Sequence, residues 1–201
     1  VRNAVNDVFK NIYLRRAVRD FKPHEVPDDI IKELIKAGTY APSGQNRQPW
    51  RFVVVKDRNV IARLSERTKK LLLDGLGSRD DPEAESLATA LKMPGFNVFY
   101  NAPVLILIFA SPDAMSPERE CSLAAENMML AGRSLGIGSC FIGMALRLGS
   151  DDVTLEELKV PKGHRLIAPL IFGYPIKDIQ TAPPRKEDVI LNWIPQKGPG
   201  D

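Results

Sequence analysis

Residues 41–50, APSGQNRQPW, decide how this chain is read, because they sit at a seam between two patterns. Ahead of them Ile30, Ile31, Leu34 and Ile35 recur at helical spacing. Behind them 52–55, FVVV, is a compact β-branched run that predicts a strand. Pro42 ends the helix, since the residue before a proline is pushed out of the α region. Gly44 lets the backbone turn or come close to another surface. Ser43, Gln45, Asn46 and Gln48 add donors and acceptors without formal charge. Two readings stay open for such a loop: it offers these groups to a ligand, or its Ser and Asn side chains satisfy their own backbone.

Upstream, Val26-Pro27-Asp28-Asp29 is a helix start, with proline in the first turn and two acids at the positive end of the dipole. Further back, Val5, Val8, Phe9 and Ile12 are spaced i, i+3, i+4, i+7, the mark of a short amphipathic helix. It runs into 14–21, LRRAVRDF. If that stretch is extended, Arg15, Ala17 and Arg19 share one side while Val18 packs behind. Guanidinium forks suit phosphates and flat acceptor edges. Taken alone, an arginine cluster is more often a solvated turn.

Downstream, Ile61, Leu64, Leu71 and Leu72 predict another helix. The span 74–97 has no steady period and reads as irregular, either a lid over a site or a plain connection. Val104–Ala110 is a buried strand by length and branching. Ser116-Pro117-Glu118 opens the longest expected helix, which reaches about Leu135 and stops at Gly136; its Met128-Met129 pair reads as core filling. Then comes GIGSCFIGMA, 136–145, where three glycines alternate with apolar residues, so backbone can approach a ligand closely. It follows a helix and opens none, so it is not a dinucleotide fingerprint. Residues 155–158 form a short helical patch, and 166–172, LIAPLIF, are a last buried strand. His164 is expected exposed at a turn. The tail APPRK, 182–186, is a stiff extended arm leading to Trp193, and such an arm has reason to be held against another subunit.

The totals narrow the class. A chain of 201 residues with 44% hydrophobic and 26% charged residues is expected to be one domain spanning 1–201. Its net charge of +3 is spread out, so no face for nucleic acid is expected. No apolar run approaches the ~20 residues that span a bilayer. No secretory signal is expected, and Val1 in place of methionine leaves room for a trimmed start. With two cysteines and two histidines, no metal site is expected. Cys121 falls on a helical apolar pattern and reads as an inert buried thiol, which fits a reducing, cytoplasmic location.

Four features in this order resemble the FMN-dependent nitroreductases: RRAVR at 15–19, APSGQNRQPW at 41–50, GIGSCFIG at 136–143, and LIAPLIFGYP at 166–175 followed by PPRK. The resemblance implies an α+β fold, a mixed central β-sheet sandwiched by helices, in an intertwined homodimer with FMN at the interface. It places the segment Arg15, Arg16, Ala17, Val18 and Arg19 on the cofactor. Arg15 is implied near the phosphate and Arg19 at the N1/O2 edge of the ring. Pro42, Ser43 and Asn46 are implied to reach the flavin from the other subunit. Phe141, Ile142 and Gly143 are implied to line the ring, with an amide near Gly143 directed at N5, and Arg185 to complete the phosphate site. Ala17 stands where many relatives carry serine. The implied chemistry is ping-pong hydride transfer from NADH or NADPH, through the flavin, to a nitroaromatic, quinone or enone. No catalytic side chain is then required, because the cofactor carries the redox step. A reductive dehalogenase, an oxidase and a flavin-storage protein remain as rival readings.

Overall fold

The computed structural model describes residues 6–77, 79, 81–177, 181–192 and 194. Four strands, β1 (Trp50–Val55), β2 (Val104–Ala110), β3 (Gly138–Phe141) and β4 (Arg165–Gly173), form a sheet in the order β1-β2-β4-β3. Every ladder among them is antiparallel. The expected mixed sheet is therefore corrected. Parallel pairing among the described residues is confined to one bridge, Ala17 to Ser139. The arginine segment meets β3 at that residue and then passes on to a bridge between Phe21 and Pro175, too briefly to build a ladder.

β2 is buried along its whole length because both faces of the sheet are covered. Successive side chains alternate across a strand. Val104, Ile106, Ile108 and Ala110 accordingly join one core with α2 (Asp28–Thr39) and α5 (Pro117–Ser134). Leu105, Leu107 and Phe109 join a second core with α3 (Arg58–Leu76) and the 3-10 segment Gly143–Ser150. α2 starts after Pro27 with Asp28 and Asp29 in its first turn, and buries Ile31 and Leu34. It lies close on α5: a Cβ on Gly38 would meet Met128 Cγ at 2.9 Å, so a larger residue there would have to displace Met128. Met128, Met129 and Cys121 are core residues, and burial pushes the Cys121 thiol up to about 12.

Two expectations fail here. The longest helix is α3, at 19 residues against 18 for α5. The span 74–97 is not irregular: α3 continues to Leu76, and α4 (Pro82–Lys92) follows, capped by the Asp81 side chain. α4 buries only Ala84 and Leu91, a stripe too thin to show as a period. α6 (Asp152–Glu157) is capped by Asp151, whose carboxylate also takes a bidentate Arg67 and the Thr154 hydroxyl.

α1 (Asp7–Leu14) forms as expected, capped by Asn6, but its apolar face is left open. Val8, Phe9, Ile12 and Tyr13 are 44–63% exposed. Val5, assigned to the same face, lies outside the described residues, as does Trp193. The described tail, 181–192 and 194, is exposed throughout, including Val189, Ile190 and Leu191. Among the described residues no helix is long and apolar enough to cross a membrane.

Candidate functional site

α1 ends at Leu14, and Arg15 is already extended at φ −62°, ψ 133°. From there side chains alternate. Arg15 Nε donates to Glu126 Oε1 of α5 at 3.1 Å. The Arg19 guanidinium lies 5.7 Å from the centre of the Tyr100 ring. Burial pushes the Cys140 thiol up, and Arg19 and Arg15 both pull it back down, so both cations act on one residue of β3. The shared side predicted for Arg15 and Arg19 is what the structure has. None of the ion pairs among the described residues involves Arg19, and Asp20 is not its partner.

Arg16 turns the other way. Its Nε donates to the Thr181 carbonyl at 3.2 Å and one Nη to the Arg15 carbonyl, while Nη2 is buried with no partner. Val18 packs behind, as predicted: its side chain would stand 2.9 Å from a Cβ on Gly138, so the glycine lets the segment lie against β3. The Val18 amide donates to Ser139 O at 2.9 Å, and Ala17 is exposed.

At the end of β3, Phe141 is half-exposed and Ile142 is buried, its amide donating to the Pro169 carbonyl. Gly143 opens the 3-10 segment, exposed, with nothing within 4 Å of where a Cβ would sit. The first amides of a helical turn have no acceptor within it. Gly143 therefore presents backbone N–H at an open surface beside Phe141.

Loop 41–50 shows the self-bonded one of the two readings held open for it. It is self-bonded: Ser43 Oγ accepts the Gln48 amide at 3.0 Å, and Asn46 Oδ1 accepts Gln48 Nε2 at 3.2 Å. It is also strained and anchored. Gln45, Asn46 and Gln48 all have φ between 51° and 54°, a region costly for residues with a side chain. Glu120, only 4% exposed, accepts the Gly44 amide at 2.7 Å and the Ser116 amide at 3.1 Å. Pro42 and Asn46 are exposed and Ser43 is half-exposed.

Within one chain these parts do not all converge. The loop is tied to α5 at Glu120 and the arginine segment at Glu126, roughly 9 Å further along the helix axis at 1.5 Å per residue. Among the described residues no hydrogen bond or ion pair joins Pro42, Ser43 or Asn46 to Arg15 or Arg19. Arg185 stands exposed in the tail and forms no ion pair among the described residues. Sequence reasoning missed Glu120, Glu126 and Tyr100. Glu120 had one visible signal, an acid in the first turn of a helix, which reads equally as a dipole partner.

The sequence profile of the nitroreductase family matches residues 12–174. The chain belongs to the nitroreductase family. It is 29% identical over 176 residues to an Archaeoglobus fulgidus protein named provisionally as an NADH dehydrogenase/NAD(P)H nitroreductase, covering 85% of this chain and 87% of that one. It is 31% identical over 181 residues to the iodotyrosine deiodinase of Thermotoga neapolitana, covering 88% and 92%. A solved nitroreductase with bound FMN from Bacteroides fragilis shares the fold at a TM-score of 0.78 and 28% identity, covering 94% of this chain and 100% of that one.

Proposed function

We propose that the chain, as one domain over 1–201, is a cytoplasmic FMN-dependent oxidoreductase that works as a homodimer. Its reductant is NADH or NADPH, and its acceptors are small nitroaromatics, quinones or enones. The observation that carries this reading is the extended segment that sets Arg15 and Arg19 beside β3: both guanidiniums act on Cys140, and Arg19 has no carboxylate partner among the described residues.

FMN presents a dianionic phosphate, a polar ribityl chain and a flat ring, and the donors present here suit each part. Arg15 reaches the phosphate, and Arg185 of a tail completes that site with a second fork. Arg19 meets the N1/O2 edge, where reduction leaves negative charge. Exposed backbone at Phe141–Gly143, free of side-chain bulk at Gly143, lets the ring lie flat, and the Gly143 amide donates toward N5. Pro42, Ser43 and Asn46 come from the partner subunit, which accounts for their distance from the arginines of their own chain. When bound, FMN supplies the hydride chemistry, so the protein needs no nucleophile or acid–base pair. The open apolar face of α1 and the exposed tail residues Val189, Ile190 and Leu191 supply surface for the partner.

The likeness to an iodotyrosine deiodinase keeps a second reading, reductive dehalogenation at the same site. One experiment separates the alternatives. The purified protein should show an oxidised-flavin spectrum, bleach with NADH or NADPH under argon, and recover colour on adding a quinone or nitroaromatic. Recovery with 3-iodotyrosine alone would favour the deiodinase reading. A colourless protein that takes up no added FMN overturns the proposal, and bound flavin that no acceptor reoxidises makes it a storage protein.

A further inference from the structure

Arg19 is held in an unusual way for a guanidinium in a binding site. Such a group is ordinarily fixed by a carboxylate, which supplies strong bonds but also cancels its charge. Here the ring of Tyr100 does the holding, 5.7 Å from the guanidinium carbon, and no carboxylate among the described residues pairs with it. A ring face attracts a cation through its quadrupole and carries no net charge of its own.

Tyr100 is itself placed by its backbone. It has φ 52°, and Asn101 after it has φ 53°. An aromatic residue in that region is a true outlier that persists only where surrounding structure over-determines it. The turn supplies that determination: the Phe99 amide donates to Asn97 Oδ1 at 2.8 Å, the Tyr100 amide to Asn97 O at 2.9 Å, and the Ala102 amide to Phe99 O at 3.0 Å. Phe99 is fully buried beside them. The Tyr100 ring then stands edge-on to Phe96, centroids 6.3 Å apart at 90°, and Lys69 Nζ lies over Phe96 at 5.8 Å. The ring that meets Arg19 is thus fixed from behind, between α4 and β2.

We infer that Tyr100 is the positioning residue for Arg19: it fixes the guanidinium with its positive charge uncompensated, and thereby sets how strongly the site prefers reduced over oxidised FMN. This rests on the proposed reading that Arg19 lies at the N1/O2 edge. An uncompensated charge there favours the reduced, more negative ligand. A guanidinium released from the ring spreads over many rotamers and loses that effect. A guanidinium paired with an acid would be equally fixed and far less effective.

The test is a dye-equilibrated redox titration of FMN-saturated protein, with the dissociation constants of oxidised and reduced FMN measured alongside. Tyr100→Asn removes the ring while keeping a residue that tolerates positive φ, so the turn survives. Tyr100→Phe keeps the ring. Arg19→Ala should weaken the preference for reduced FMN about tenfold, ~30 mV for a two-electron couple. Tyr100→Asn should weaken it in the same direction at least threefold, ~15 mV on the same scale. Tyr100→Phe should match wild type, and Arg19→Ala with Tyr100→Asn should match Arg19→Ala alone. An unchanged potential in Arg19→Ala overturns the placement of Arg19 and this inference with it. A shift in Arg19→Ala without one in Tyr100→Asn overturns the inference alone, as does a Tyr100→Asn shift that persists in the double variant.

Discussion

Replacing Glu120 by alanine removes the buried carboxylate that ties Gly44 of loop 41–50 to α5. Its carboxylate accepts the Gly44 amide at 2.7 Å and the Ser116 amide at 3.1 Å, and the side chain is 4% exposed. Hydrogen bonds to a charged group contribute about 1.5–3 kcal/mol each. The sum overstates the effect, because burying the carboxylate costs several kcal/mol that alanine does not incur. Gly44 and Ser116 are also half-exposed, so water reaches their freed amides in part. The net loss should be about 2 kcal/mol. Glu120→Gln should cost nearly as much, since its amide group can accept only one of the two N–H donors and turns a donor on the other. Urea melts at one fixed protein concentration read the loss, because association would otherwise shift the midpoint. With a slope of about 2 kcal/mol/M, the midpoint falls by about 1 M. Hydrogen exchange at the Gly44 amide should accelerate beyond the global change, and FMN affinity should fall with it. Stability within about 0.5 kcal/mol of wild type, with Gly44 exchange unchanged, would refute the assignment of Glu120 as the anchor.

Three further outcomes are expected. Arg185→Ala should weaken FMN binding by about 1.5–3 kcal/mol in calorimetric titration while leaving riboflavin binding nearly unchanged; equal losses for both ligands would show that Arg185 does not meet the phosphate. Asp151 is held at about 2, first by the Arg67 guanidinium and then, against its own burial, by Thr154, whereas an unfolded aspartate titrates near 3.9. Its folded value is depressed, so its stabilisation is complete above about pH 4 and is lost as pH falls through 2. The thermal midpoint should fall across that window, and Asp151→Asn should flatten the fall; an unaltered slope in the variant would assign it to other groups. Finally, Phe9→Asp with Leu191→Asp should convert a dimer to monomer in sedimentation and release FMN, and a wild-type monomer that retains full FMN would overturn the dimeric site.

What could be read in the sequence follows from where the determining interactions lie. β2 was legible because VLILIFA is apolar on both faces, and the alternation of Arg15, Ala17 and Arg19 because strand geometry alone sets it. The helix α4 was not legible, since it buries two residues and spends the rest of its surface on solvent. The antiparallel sheet departs from the expected mixed one for a tertiary reason: the arginine segment leaves β3 after a single parallel bridge. The roles of Glu120, Glu126 and Tyr100 were invisible for the same kind of reason. Each acts on a residue 76 to 111 positions away in the chain (no local pattern encodes such a pairing), and the positive φ of Tyr100 has no signature in its residue type.

The places where this chain leaves apolar surface open adjoin the arginines assigned above to the proposed cofactor site. Arg15 and Arg19 follow directly on α1, whose Val8, Phe9, Ile12 and Tyr13 are uncovered; Arg185 precedes Val189, Ile190 and Leu191, which are also uncovered. Burying such side chains is worth about 25 cal/mol per Å², set against the cost of ordering a tail. Covering α1 fixes the start of the extended segment, and covering the tail fixes the approach to Arg185. In the proposed dimer, association would add to the Glu126 contact that already holds Arg15 and would supply the hold that Arg185 lacks among the described residues. In the proposed site, a dianion tying Arg15 to Arg185 would stabilise the associated state in return. Assembly and cofactor retention are on this account one equilibrium, and each should strengthen with the concentration of the other's ligand.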